Sequence, residues 1–185
     1  MPVSSRPAPR STVPVNVLKS LTYTAVLWVV FLFAFPAAIW LLESAWGLTA
    51  TRFAPGALRP VAVLVFVGGA LVGFWSGWVL IRLGGGTPMP FECTHRLVIA
   101  GPYRHIRNPM AAMGIAQGVA VGLYLGSSIT IVYALLGAAV WNYIARPWEE
   151  RDMIRRFGNE FELYRRSVPC WLPRLVPYRT TTESE

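Results

Sequence analysis

Three stretches of the chain stay apolar for longer than a soluble helix or strand needs. Ser20 to Leu42, SLTYTAVLWVVFLFAFPAAIWLL, holds no charge, with Lys19 before it and Glu43 after it. Val61 to Leu83 is free of charge until Arg82, and Met110 to Ala145 is free of charge throughout. Crossing a bilayer takes about 20 mostly apolar residues per helix, so the third stretch, about twice that length, reads as a hairpin of two helices. Its turn is expected at GSS, Gly126 to Ser128. The pattern predicts an all-α, multi-pass membrane protein with helices over 20-42, 61-83, 109-125 and 128-146. The first stretch outruns the apolar core of a signal peptide, and FPAAIW continues apolar where a polar cleavage region would stand. It is expected to stay in the protein, kinked at Pro36.

After the last span the pattern changes character. Met153, Phe157, Phe161, Tyr164 and Val168 recur at intervals of four, four, three and four, one face of a helix, with arginines and carboxylates on much of the rest. This predicts an amphipathic cytoplasmic helix over 147-166, lying along the membrane surface or against the long loop before the hairpin. The Pro/Ser/Arg-rich arm 1-18 and the polar tail 176-185 are expected to be disordered, leaving 19-175 as one membrane domain.

Charge gives that arrangement a direction. The chain carries a net charge of +8, and the cations are unevenly placed. Arg6, Arg10 and Lys19 precede the first helix, Arg82, Arg96, Arg104 and Arg107 flank the second loop, and eight arginines follow Ala145. Only Arg52 and Arg59 fall in the opposite loop. The positive-inside bias therefore predicts that both termini and the loop from Gly84 to Asn108 are cytoplasmic. Glycines recur every fourth residue at Gly69, Gly73 and Gly77, and again at Gly114, Gly118, Gly122 and Gly126, a spacing that lets membrane helices approach closely. Cys93 and Cys170 fall on the reducing side and have no metal-ligand spacing, so they are expected to be structural and no metal is expected. The chain has no P-loop and no Gly-x-Gly-x-x-Gly, and GGGTPMP from Gly84 reads as a linker.

Two polar blocks remain on the cytoplasmic side. THRLVIAGPYRHIRNPM, Thr94 to Met110, gathers cations and prolines between apolar helices. NYIARPWEERDMIRRFGNEFELYRRSVPCWLP, after the last span, contains Glu149 and Glu150 about one turn past the membrane boundary. Carboxylates are unfavourable near anionic headgroups, so the pair suggests a cationic or hydroxyl-bearing ligand; a solvated ion pair with Arg146 is the alternative.

Together the blocks resemble the signatures of the isoprenylcysteine carboxyl methyltransferase family, membrane enzymes related to phospholipid methyltransferases. The resemblance covers Thr94 to Pro173 and implies S-adenosylmethionine as cofactor, bound in a cytoplasmic pocket open sideways to the bilayer. Its cofactor-binding positions fall on His95, Arg96, Leu97, Val98, Tyr103, Asn108, Pro109, Met110, Ala111 and Glu149. Its acceptor ligand corresponds to Arg146, so Arg146 and Glu149 become the candidate catalytic pair. This sequence departs from the family pattern at Asn108, where histidine is common, at Ala111, where tyrosine is usual, and in the spacing of Arg146, which is offset by one position. The implied function is methyl transfer to a lipophilic acceptor such as an isoprenylcysteine carboxylate or a phospholipid. A membrane reductase using NADPH, or a non-catalytic membrane partner, are the alternatives. The expected partners are the bilayer and the acceptor, with no nucleic acid. His105 is the motif's nearest imidazole and a candidate base or a backbone contact.

Overall fold

The computed structural model describes residues 6–7, 13–84 and 92–179; the disorder expected of the outermost arm and tail lies mostly outside them. The architecture is all-helical apart from a two-residue parallel pairing of Arg6–Pro7 with Glu92–Cys93. Helix α1 is a continuous run of Val13–Leu27, a π-helical stretch Trp28–Ala34 and Phe35–Ala45. It begins at Val13, inside the stretch read from sequence as an arm. Helix α2 is Leu58–Gly84 and α3 is Pro109–Leu125. Helix α4 joins Ser128–Val140 to a π-helical Trp141–Ala145, and α5, Arg146–Ser167, follows without a break.

Three of these runs are long and apolar enough to cross a membrane: Val17–Ala45, Leu58–Gly84 and Ser128–Ser167. Pro109–Leu125 is a shorter apolar helix. The run from Ser128 has 40 residues and is about 60 Å long, roughly twice the hydrocarbon thickness. Its apolar half is α4. The arginines and carboxylates of α5 begin at Arg146, so the stretch apolar enough to span a membrane ends there.

Both π-helical stretches sit just before a proline. Proline at position i has no N–H to donate and its ring crowds the carbonyl of residue i−4. Ahead of Pro36 the Phe35 N–H bonds to Val30 O, and ahead of Pro147 the Arg146 N–H bonds to Trp141 O. Each bond spans five residues instead of four, so a widened turn absorbs the proline and the helix continues.

The glycine ladders divide between packing and space. Gly69 lies against Gln117, whose Nε2 donates to Phe66 O at 3.1 Å, and Gly118 and Gly122 receive Ala134 and Ile131 of α4. Nothing stands within 4 Å of the Cβ positions of Gly73 and Gly114. These two face cavities.

At the end of the bundle remote from α5, the turn between α3 and α4 is clamped to the loop after α1. Glu43 is buried and accepts from Thr51 Oγ1 at 2.7 Å, with Arg52 Nε 3.9 Å away. Arg52 in turn donates to Trp40 O and Ser44 Oγ and stacks over the Trp40 ring. Gly126 closes α3 with φ of 69°, and a Cβ there would lie 2.2 Å from Phe53 O. Gly126→Ala combines left-handed backbone strain of about 1–2 kcal/mol with that collision, so the detergent-solubilised variant should melt measurably lower than the parent. An unchanged melting midpoint would show that this clamp can open at no cost.

Candidate active site

The site is assembled at the α5 end of the bundle by the loop before α3, by α5 and by the segment that follows α5. Thr94 to Arg107 crosses the end of α2, where Tyr103 packs with Val79 and Val98 in a buried cluster. Burial pushes the Tyr103 hydroxyl far above its ordinary range, so it stays protonated. The loop ends at Asn108, whose Oδ1 accepts from Ala111 N at 3.1 Å and caps α3, with Pro109 in the first turn.

The apolar stripe of α5 covers this loop. Gly158 adopts φ of 53° and ψ of −127°, outside helical geometry, so α5 bends inside the sequence RFGN. A side chain would strain that conformation, which glycine adopts freely. Beyond the bend, Phe161, Tyr164 and Val168 are buried against Leu97, Ile99 and Tyr178, and the Tyr164 hydroxyl donates to Tyr103 O at 2.7 Å. Arg156 donates to Thr94 O from the same helix. The segment after α5 returns over the loop, with Arg107 N donating to Pro169 O and Arg174 N to His105 O.

A cavity of about 620 Å³ lies beneath this cover. Of the residues predicted from sequence, Leu97, Val98, Tyr103, Asn108, Met110, Ala111, Arg146 and Glu149 line it. His95 and Arg96 are exposed and do not, and Pro109 is buried in the start of α3. His105 is also off the cavity wall; its Nδ1 sits 2.9 Å from Arg174 O, a backbone contact. Glu150, singled out together with Glu149, also lines the wall, and sequence reasoning missed Arg107, Asp152, Met153, Arg156, Tyr164 and Cys170 there. It also missed the face of α1 carrying Thr24, Leu27, Trp28, Phe31 and Leu32.

The two adjacent carboxylates have different surroundings. Glu150 Oε1 lies 2.9 Å from Arg107 and 3.4 Å from Arg146, and its Oε2 lies 3.3 Å from Arg165. It is the hub that ties the loop, the end of α4 and the far half of α5. Glu149 meets only the Asn108 amide, at 3.4 Å, and makes no ion pair among the described residues. Burial, with Glu150 beside it, pushes the Glu149 carboxyl up to about 7. Arg107 Nε, Arg146 Nε and Arg156 Nη1 are buried without hydrogen-bond acceptors among the described residues. One cavity thus offers a carboxylate with no ion pair among the described residues and the Arg107 Nε, a complement to a zwitterion, while Arg146 Nε and Arg156 Nη1 face Glu150 and Asp152 at 3.4 and 3.7 Å.

Residues 58–160 match the family described as phospholipid methyltransferase. The chain belongs to the phospholipid methyltransferase family. The matched stretch runs from α2 to the bend of α5 and contains Tyr103, Asn108, Arg146 and Glu149, while α1 lies outside it. The chain is also 32% identical over 83 residues to methanethiol S-methyltransferase 2 of Bradyrhizobium diazoefficiens, a stretch covering 44% of this chain and 30% of that protein. The match therefore spans less than a third of that relative's length. Both similarities agree with the resemblance carried by the two polar blocks, and the family match contains the α3–α4 hairpin and its flanking motifs.

Proposed function

We propose that this protein transfers a methyl group from S-adenosylmethionine to a lipophilic acceptor that reaches the cavity from the bilayer. The observation that carries this reading is Glu149, a half-buried carboxylate with no ion pair among the described residues, in the same cavity as Arg107, whose buried Nε has no hydrogen-bond acceptor among them. Those groups fit the ammonium and carboxylate of S-adenosylmethionine, and the apolar wall formed by Leu97, Val98 and Tyr103 fits its adenine ring. When bound, S-adenosylmethionine supplies a methyl group already activated on a sulfonium. The protein's part is then to align the acceptor, hold both partners and exclude water. Asn108 steadies the Glu149 carboxylate, Glu150 keeps Arg107 and Arg146 in place, and α1 closes the side.

A second cavity of about 460 Å³ supports the acceptor's route. It lies between α1, α2 and α3, contains Gly73, Gly77 and Gly114, and shares Thr24, Trp28, Met110 and Gly114 with the first. Its lining is apolar apart from Thr24 and Gln117, which suits an uncharged tail. A carboxylate acceptor, which needs no general base, is the first reading. A thiol acceptor is the second reading, raised by the relative named for methanethiol; it would have to arrive deprotonated.

Membranes containing the protein, incubated with methyl-labelled S-adenosylmethionine, should yield a labelled lipophilic product by mass spectrometry. Labelling that depends on NADPH, or cofactor binding with no product from any acceptor class, would reject the proposal. Arg146→Ala should slow transfer by about tenfold or more through loss of a charged contact to the acceptor, while cofactor affinity falls less than in Glu149→Gln. Equal loss of cofactor affinity in the two variants would assign Arg146 to the cofactor instead.

A further inference from the structure

After α5 the chain runs irregularly from Val168 to Arg179 and turns apolar side chains outward. Leu172 is 76% exposed, Leu175 97% and Val176 68%. Scattered apolar residues on a surface need no explanation, but three within five residues beside a membrane-crossing helix do. The height of this segment is fixed by Trp171. Its indole donates to Asn142 Oδ1 at 2.9 Å and packs edge-on against Trp141 with ring centroids 5.1 Å apart. Trp141 and Asn142 lie one turn before Arg146, where the apolar stretch ends, and tryptophan settles at that level of a bilayer. The neighbouring charge has one sign. Leu163 to Arg179 holds Arg165, Arg166, Arg174 and Arg179 and no carboxylate. Arg179 is exposed, and Arg166, 80% exposed, lies 3.8 Å from Glu162 at the segment's edge.

We propose that Leu172–Val176 is an interfacial anchor, with its apolar side chains in the outer hydrocarbon and Arg166, Arg174 and Arg179 against anionic phospholipid headgroups. Apolar insertion supplies the attachment and the cations select the leaflet composition. The anchor also touches the candidate site. The segment from Pro169 to Tyr178 that carries it holds the loop before α3 at three points, Arg174 lying in the anchor and the other two flanking it: Arg107 N to Pro169 O at 3.0 Å, Arg174 N to His105 O at 2.9 Å, and Tyr178 N to Arg104 O at 2.9 Å. Docking therefore restrains Arg107 and the adjoining Asn108 cap, which makes anionic lipid an activator of cofactor binding. This last step rests on the proposed function; the insertion itself does not.

The test uses the full chain in lipid nanodiscs, in a Cys93→Ser background with buried Cys170 retained. A nitroxide is placed on Leu175→Cys and, as a reference, on Asn159→Cys, an exposed position of α5. Collision with oxygen and with a water-soluble nickel chelate is measured in phosphatidylcholine discs with and without phosphatidylglycerol. The Leu175 label should be open to oxygen and shielded from the chelate, and deeper with phosphatidylglycerol, while the Asn159 label stays open to the chelate. Chelate access equal at the two positions overturns the anchor, and shielding from both agents overturns it in favour of a protein partner. Equal depth in the two lipids overturns the headgroup selection. Leu175→Asp should lower S-adenosylmethionine affinity several-fold in the anionic discs; an unchanged affinity overturns the coupling. Depth is read without cofactor, so a parent protein that fails to bind S-adenosylmethionine sinks the proposed function and leaves the anchor to stand or fall on its own.

Discussion

Glu149→Gln is expected to weaken S-adenosylmethionine binding about ten- to hundredfold, the 1.5–3 kcal/mol that a hydrogen bond to a charged group contributes. The amide keeps the shape and loses the charge. Because burial holds the parent carboxyl at about 7, it is largely protonated in mildly acidic solution and ionised above neutrality. Affinity in the parent should rise by about 25-fold between pH 5.5 and 7.5, following the ionised fraction, and the glutamine variant should show no such rise. Stability moves the other way. A folded-state value above the ordinary 4.5 means that the folded protein retains a proton the unfolded chain gives up, so stability falls as pH rises from about 4.5 through about 7. Removing the carboxyl relieves that cost, by about 1–3 kcal/mol, and the variant should melt higher than the parent at pH 8. Calorimetry for binding and a melting curve for stability, both in detergent, read the two effects. Weaker binding with a lowered melting midpoint would mean that Glu149 holds the fold together.

The opposed effects explain why spacing alone left the two carboxylates alike, although the family resemblance set Glu149 apart. Adjacent residues on a helix point about 100° apart, so Glu149 and Glu150 cannot share a partner. Which of them meets the arginines depends on where Arg107 and Arg165 arrive, from 43 residues upstream and 15 downstream. Nothing local to the sequence WEER records that. The all-helical membrane fold, by contrast, was legible because charge-free runs of span length leave a chain few other choices. The stripe on α5 was legible as one helical face, though not as to what it covers. Its spacing fits a membrane surface and the loop alike, and the burial of Phe161, Tyr164 and Val168 against Leu97 and Ile99, with the Tyr164 hydroxyl on Tyr103 O, distinguishes them.

Helix α1 was the larger omission at the site. It carries no motif residue, and Thr24, Trp28 and Phe31 look like any lipid-facing set. They become a cavity wall because Gly73 and Gly114 open space opposite them. The same glycines read from spacing as close-packing positions, which holds for Gly118 and Gly122 but not for these two. Small residues permit close approach, and where no neighbour fills the opening they leave room for a ligand.

Glu150→Gln should do what Glu149→Gln does not: destabilise the fold and impair binding together. Its carboxylate is 16% exposed and faces Arg107, 14% exposed, Arg146, 31%, and Arg165, 35%. Removing one partner of a fully buried pair costs about 3–5 kcal/mol because the remaining charge is stranded. Arg165 and Arg146 keep some access to water and can be partly resolvated, which reduces the expected cost to about 2–4 kcal/mol. The loss falls at three contacts at once, since this carboxylate faces Arg107 of the loop, Arg146 at the start of α5 and Arg165 of its far half. Loosening them lets Arg107 and Arg146 leave the cavity wall, so cofactor affinity should fall along with the melting midpoint. High salt tests the cause: it should lower the parent's melting midpoint toward that of the variant and change the variant little, because the variant has already lost the charge being screened. A Glu150→Gln protein that melts like the parent, or one whose salt response matches the parent's, would remove Glu150 from the centre of this network. The arginines would then have to be held by their remaining contacts, Asn142 for Arg146 and Glu162 for Arg165.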